Sequence, residues 1–404
     1  MDWKSYVCDC KPDVLFALSD VPFTSPPYSQ KRLKKSIERS ATWLADIISQ
    51  FVPASTSSDT QEVECRPGVL VHMAGAASVP ARRAFADSLI EKLFGPEAEA
   101  IKPLQTLDQG VLGYTFDLVP IRLSLLPMTT PSSTSACPQE VNLAHVISVR
   151  TDRLSALLCA SLEPLPVEKL RLVNTVQTPH EVLRLISTVG VDLFDAHWGQ
   201  RAADVGIAFD FSFPAPSPTL SAKTRDNGKH DIGHNLYSDS YKLDFSSFSS
   251  SICPCRACVP VAASTRIYHG IDDASYSLEQ NVSVTHDLAP PLLQETTKPA
   301  FTKAYIHHLL HTHEMSAHSL LVLHNLSMLD TFFASIRQFI RHLDVIGGEW
   351  EKEVRRFEEY YDETSKVFDE AKKAWQEVDL ARGKGRLARE KKQEGGGMLG
   401  TDVP

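Results

Sequence analysis

The sequence has no run approaching the roughly 18 consecutive apolar residues that a membrane-spanning helix needs. Its first residues, Met1-Asp-Trp-Lys-Ser-Tyr-Val-Cys-Asp-Cys10, hold neither an apolar core nor a basic amphipathic stretch, so secretion is not expected. Positive charge is scarce too. With 41 Lys and Arg against 50 Asp and Glu, the formal net charge is −9. No global field draws such a chain to a polyanion, and any nucleic-acid contact must use a local patch. Internal repeats are also missing, which argues against a solenoid. What remains is ordinary globular composition, 43% hydrophobic and 23% charged over 404 residues. That length suits one large α/β domain with appendages, or two domains.

Pro, Ser and Thr gather in blocks at 52–67, 128–139, 213–251 and 259–299, which read as loops or insertions. Between them, short apolar runs predict strands at 13–18, 69–73, 110–116, 145–149, 171–176, 191–194 and 205–211. Amphipathic spacing predicts helices at 30–51, 81–94 and 179–188. Apolar strands alternating with amphipathic helices indicate a parallel sheet covered on both faces, and at this length a (β/α) barrel is favoured over an open sheet. Residues 304–346 form a helical region rich in His and Leu. After Gly347-Gly348 a long charged helix follows, its apolar residues (Trp350, Val354, Phe357, Tyr361, Phe368, Ala371, Trp375, Val378) drawing one stripe. The stripe either packs on its own domain or serves as a partner surface. Beyond Arg382 a basic, Gly-rich tail reads as disordered, solvated or touching phosphate.

Three of the eight cysteines sit together: Cys253-Pro-Cys255-Arg-Ala-Cys258. Three thiols on so tight a loop cannot all pair as disulfides with good geometry, yet they can converge on one tetrahedral Zn²⁺. A redox pair or chance cluster is the alternative reading. The fourth ligand must come from elsewhere, and His307, His308, His311, His313, His318 and His324 crowd the helices that follow. Periodicity does not choose among them. His313-Glu314 followed by His318 has the wrong spacing for a zinc protease, whose histidines stand four apart on one helical face.

The C-x-C-x-x-C loop, followed by Lys303-Ala-Tyr-Ile-His-His-Leu-Leu310 and Leu323-His324-Asn325-Leu326, resembles the tRNA-guanine transglycosylase family. Upstream, Gly190-Val-Asp-Leu-Phe-Asp195 is similar to the family's stretch ending in the nucleophilic Asp, and Pro12 to Asp20 with Lys34 to Ser40 resembles another. The resemblance implies a (β/α)8 barrel of the TIM type, incomplete at its N-terminal end, with a zinc-binding C-terminal helical subdomain. It implies one structural Zn²⁺ held by Cys253, Cys255, Cys258 and His324. On this reading the barrel portion covers 1–251 and the zinc-binding subdomain 252–346, with an insertion at about 259–300. The amphipathic helix covers 347–381 and the tail 382–404.

The departures point away from catalysis. Asp195 is followed by Ala196-His-Trp-Gly-Gln-Arg201 in place of the family's Cys-Val-Leu-Pro-Thr-Arg. The base-recognition loop becomes Met73-Ala-Gly-Ala76 and loses its Gln; the paired glycines of a further loop are gone from Leu112 to Asp117. No segment matches the one that carries the general base. Without purine-reading donors or a proton shuttle, one Asp can do little of a base exchange, because proton transfer alone contributes about 10²–10⁴-fold. Asp195 is expected to form a salt bridge with Arg201 or to cap the next helix, so no catalytic residue is expected. The resemblance therefore implies a non-catalytic subunit partnered by a catalytic one and acting on tRNA, cytoplasmic and peripherally associated with the mitochondrial outer membrane. A transglycosylase or ribohydrolase working through Asp195 is the competing expectation.

Overall fold

The computed structural model describes residues 3–21, 27–51, 67–125, 143–217, 224–250, 253–259, 301–342 and 349–396. Most of the expected insertion at about 259–300 lies outside them, as do residues 397–404 of the tail. The chain divides into two units, residues 1–198 with 348–358, and 199–347 with 359–404.

The first unit is a parallel sheet with helices between its strands. Strands β1 (Val14–Phe16), β2 (Gly68–His72), β3 (Gly113–Asp117), β4 (Leu170–Asn174) and β5 (Leu193–Phe194) lie in the order β1-β2-β3-β4-β5, every pair parallel. Helices α1 (Trp3–Cys10), α2 (Gln30–Phe51), α3 (Val79–Ile90), α4 (Pro96–Ala100), α5 (Leu118–Leu125), α6 (Leu143–Leu162) and α7 (Pro179–Val189) accompany them. Local chemistry sets several boundaries. Ser78 caps α3 by accepting from the Ala81 amide, and Pro80 sits in its first turn. Thr178 caps α7 through the Glu181 amide, and Gly190 ends it at φ +71°. The register puts Leu15, Val69, Val71, Tyr114, Phe116 and Val173 on one face of the sheet, all but fully buried, and Leu70 and Thr115 on the other face are buried too. Val14, Phe16 and Leu193, on its edges, remain more than 40% exposed. Among the described residues no ring closes, since β1 and β5 are both edge strands.

Two strand expectations are corrected. Residues 145–149 lie inside α6, because a short apolar run without flanking turn residues fits a buried helix turn as well as a strand. The 205–211 run yields β6 (Ile207–Phe209), which follows α8 (His197–Asp204) and pairs antiparallel with β7 (Gly233–Asn235) rather than joining the parallel sheet.

The second unit builds on that pair. Helices α9 (Lys303–His311) and α10 (Met315–His342) follow, and α10 packs on β6. Along α10, Ala317, Leu321, His324, Asn325, Met328, Leu329, Phe332 and Ile336 form one buried stripe. By length and composition this 28-residue helix could cross a bilayer, which the sequence reading did not expect. It buries His324 and Asn325, both 0% exposed, against protein. Phe211 and Phe213 meet Phe332 edge-on at 5.3 and 6.2 Å. The C-terminal stripe is carried by two helices, α11 (Glu349–Tyr360) and α12 (Lys366–Gly396), with Ser365 at φ +53° between them. Within the first unit Phe357 meets His180 edge-on at 5.1 Å. Within the second, Val367 and Ala371 are buried, Glu370 pairs with Arg225, and Trp375 is 40% exposed.

Candidate metal centre

Cys253, Cys255, Cys258 and His324 come together inside the second unit. The three sulfurs and one imidazole nitrogen all lie within 4.8 Å of one another. A short turn presents the thiols: the amides of Cys258 and Val259 both donate to the Cys255 carbonyl, at 3.0 and 2.9 Å. Cys253 and Cys255 are buried and Cys258 half-buried. On α10, His324 donates from Nε2 to the Phe209 carbonyl at 2.8 Å, which leaves Nδ1 to face the Cys258 sulfur at 3.3 Å. Phe248 packs edge-on against the imidazole at 5.3 Å.

The four groups perturb one another strongly. Hydrogen bonds from the Cys255 and Cys258 thiols pull Cys253 well below the ordinary thiol range, while contacts with Cys253 and Cys255 push Cys258 up. Burial alone would lower His324, but the Cys253 and Cys255 sulfurs outweigh it and hold the imidazole up at about 9. Four soft and borderline donors fit one divalent ion. A tetrahedral site with metal–sulfur bonds near 2.3 Å needs donors about 3.8 Å apart, so only small side-chain movements separate this arrangement from a closed site. The four residues can therefore hold a metal ion, and four protein ligands would leave no position open for water or substrate.

Three of the other candidate histidines are occupied otherwise. His307 Nδ1 bonds the Leu236 carbonyl at 3.0 Å, His311 Nε2 the Tyr237 carbonyl at 3.2 Å, and His318 pairs with Asp204 at 2.8 Å.

Two supports went unread in the sequence. Asn325 accepts from the Phe209 amide at 2.9 Å and donates to the carbonyls of Gly199 and Ile207, each at 3.0 Å. His324 and Asn325 thus clamp Phe209 by its carbonyl and its amide, which fixes the imidazole tautomer as an outer-shell partner does. Asp210 takes the Ser250 amide and hydroxyl at 2.9 and 2.8 Å and binds His234 Nε2 at 2.9 Å, while His234 Nδ1 meets the Tyr241 hydroxyl at 3.0 Å. Asp210 thereby tethers the segment leading to Cys253. Only the His-Asn dipeptide hinted at the clamp.

Asp195 lies in the first unit at the C-terminal end of β5. Its Oδ2 accepts the Thr175 amide at 2.9 Å, and Oδ1 is buried without a hydrogen-bond partner among the described residues. Thr175 sits at φ +67°, unusual for a β-branched residue, and its hydroxyl donates to Asp117 at 3.0 Å. The Met73–Ala76 loop lines a cleft with Ser19, His72, Arg82 and Asp117, at the C-terminal ends of β1, β2 and β3. Barrel enzymes place their sites at this end of the strands.

A family profile described as queuine tRNA-ribosyltransferase matches residues 144–289 and 272–363, together more than half of the chain. The chain is 25% identical over 205 residues to the queuine tRNA-ribosyltransferase accessory subunit 2 of Schizosaccharomyces pombe, covering 50% of this chain and 35% of that protein. The accessory subunit 2 of Xenopus laevis is 26% identical over 342 residues, covering 82% and 63%. The human accessory subunit 2 is 28% identical over 189 residues, covering 46% and 40%. The chain spans between about a third and two-thirds of the length of these relatives. By the profile match, and with its cysteine loop and His324-Asn325 dipeptide inside the matched residues, the chain belongs to the queuine tRNA-ribosyltransferase family.

Proposed function

We propose that this chain is the non-catalytic subunit of a heterodimeric queuine tRNA-ribosyltransferase. It supports tRNA binding and dimer formation while the catalytic partner exchanges guanine for queuine at the wobble position of tRNAs with GUN anticodons (Asp, Asn, His and Tyr). The observation that carries this is the convergence of Cys253, Cys255, Cys258 and His324 within residues that match the family. The names of the relatives, each an accessory subunit, support the division of labour. In this reading the ion is Zn²⁺, one per chain, and it cross-links the 253–258 loop to α10. The parallel sheet is a segment of a (β/α)8 barrel.

The reaction asks a carboxylate to attack the ribose, a base to leave, and the leaving base's edge to be read by hydrogen bonds. The Met73–Ala76 loop brings no side-chain amide to the strand-end cleft, and Asp195 spends Oδ2 on a backbone amide. One observation favours the competing reading, an active transglycosylase or ribohydrolase: Asp195 Oδ1 is buried and has no hydrogen-bond partner among the described residues.

Reconstitution separates the two. The purified chain, alone and with the catalytic subunit, is assayed for queuine incorporation into tRNA, and the pair is checked for co-elution. Turnover only by the pair, unaffected by Asp195→Ala in this chain, is the expected result. Turnover by the chain alone that Asp195→Ala abolishes would overturn it. For the complex we further propose a cytoplasmic location with peripheral attachment to the mitochondrial outer membrane, which fractionation with and without a salt wash tests.

A further inference from the structure

We propose, resting on the reading of this chain as a tRNA-binding subunit, that the outward face of α2 binds the tRNA backbone. Lys31, Lys35 and Arg39 take its phosphates, and Trp43 offers a stacking surface to a base. Residues four apart share one ridge of a helix, each step rising about 6 Å along the axis. Lys31 and Lys35 are exposed, the Arg39 side chain is 47% exposed and Trp43 37% exposed. The ridge is thus three cations followed by an accessible indole.

Positive charge is concentrated here in a chain whose net charge is −9. Residues 30–40 hold Lys31, Arg32, Lys34, Lys35 and Arg39 against one acidic residue, Glu38. Glu38 stands 3.8 Å from Lys34, with side chains 63% and 78% exposed, a pairing that contributes little in water. The other carboxylate in reach is Asp20, whose single charge serves both Arg32, at 2.7 and 2.8 Å, and Arg39, at 3.3 Å. Five cations therefore face two carboxylates. Among the described residues no carboxylate pairs with Lys31 or Lys35.

Helix stability does not account for this arrangement. The first turn of α2 has no acidic residue, and its cations lie at the positive end of the helix dipole, where they are disfavoured. Like charges at i,i+4, as in Lys31, Lys35 and Arg39, weaken the helix further. A line of phosphates relieves both penalties, and counterion release adds to the affinity. The indole beside the cations distinguishes a polynucleotide from a free anion, because every base has a face to stack. Leu33 and Ser36 of the same helix line the strand-end cleft, so the ridge starts at the end of the sheet where barrel proteins place their sites.

The full chain is titrated with tRNA over a range of salt concentrations, wild type against Lys31→Gln/Lys35→Gln. Both positions are exposed and Gln is a good helix former, so the variant should melt no lower than wild type. Each lost phosphate contact should flatten the plot of log affinity against log salt by about 0.7–0.9, so the double variant's slope should be shallower by about 1.4–1.8. Trp43→Leu should bind about fivefold to 150-fold more weakly with its slope unchanged. Ultraviolet irradiation of wild type with tRNA should leave a cross-link within residues 30–51, a result independent of any variant. Equal affinity and slope in the lysine variant, while wild type binds tRNA, would overturn this inference alone. Absence of tRNA binding by wild type would overturn the tRNA-binding reading as well. Vesicles of phosphatidylserine and phosphatidylcholine are run in parallel. Lysine-dependent vesicle binding with unchanged tRNA affinity would assign the face to a lipid surface and overturn the proposal.

Discussion

Replacing Asn325 by Leu should cost the second unit far more stability than a change at a surface Asn. Asn325 is 0% exposed and makes three hydrogen bonds to backbone groups, the Phe209 amide and the Gly199 and Ile207 carbonyls. Leu has similar volume, so the cavity term is small and the loss falls on those three groups. A buried backbone group stripped of its partner costs about 1–3 kcal/mol. Partial relaxation of three such groups gives about 3–6 kcal/mol. At roughly 2–4 °C per kcal/mol for a unit of this size, the melting temperature should fall by about 6–24 °C. Because Phe209 also receives His324 Nε2, the imidazole loses its fixed orientation and bound metal should exchange faster. Urea unfolding measures the first effect, and the rate of metal transfer to a chromogenic chelator the second. A loss below about 1 kcal/mol with an unchanged transfer rate would refute the clamp.

Two further predictions concern the first unit. The bidentate Arg32–Asp20 pair, at 2.7 and 2.8 Å, holds the Asp20 carboxyl below its ordinary value, so its contribution is present above the usual carboxylate range and is lost as pH falls through the lowered value. Arg32→Met should therefore destabilise by about 1 kcal/mol at neutral pH, and its gap from wild type should close as urea titrations move toward acid; a gap constant with pH would contradict the pairing. Gly75→Ala meets both a positive φ of +117° and a 2.7 Å contact with Arg82, so it should lose about 1–3 kcal/mol, read as an earlier urea midpoint, while wild-type stability would show that the loop conformation is wrong.

Elements specified by local chemistry were legible in the sequence. The 30–51 helix is observed over Gln30–Phe51, because Leu33, Leu44, Ile47 and Ile48 repeat at helical spacing around one buried face. The 179–188 helix is observed over Pro179–Val189, between its Thr178 cap and Gly190. Partner choice was not legible. The 205–211 run has strand character, but only its contact with Gly233–Asn235 places it outside the parallel sheet. The 145–149 run is too short to separate from one turn of the helix that contains it. At the metal centre the thiol triplet stands out in the sequence. His324 does not, since six histidines share that region and helical spacing ranks none of them; the family motif chose it. The Asn325–Phe209 contact spans 116 residues, a separation no local pattern encodes.

Three thiols and one imidazole stand where they could close on a single metal ion. Elemental analysis of the full chain, purified without added metal and again after Cys255→Ala, tests it most directly. About one zinc per wild-type chain is expected, with almost none in the variant and loss of second-unit structure when a chelator strips the ion. Chains that are metal-free yet keep their cooperative unfolding transition would contradict it.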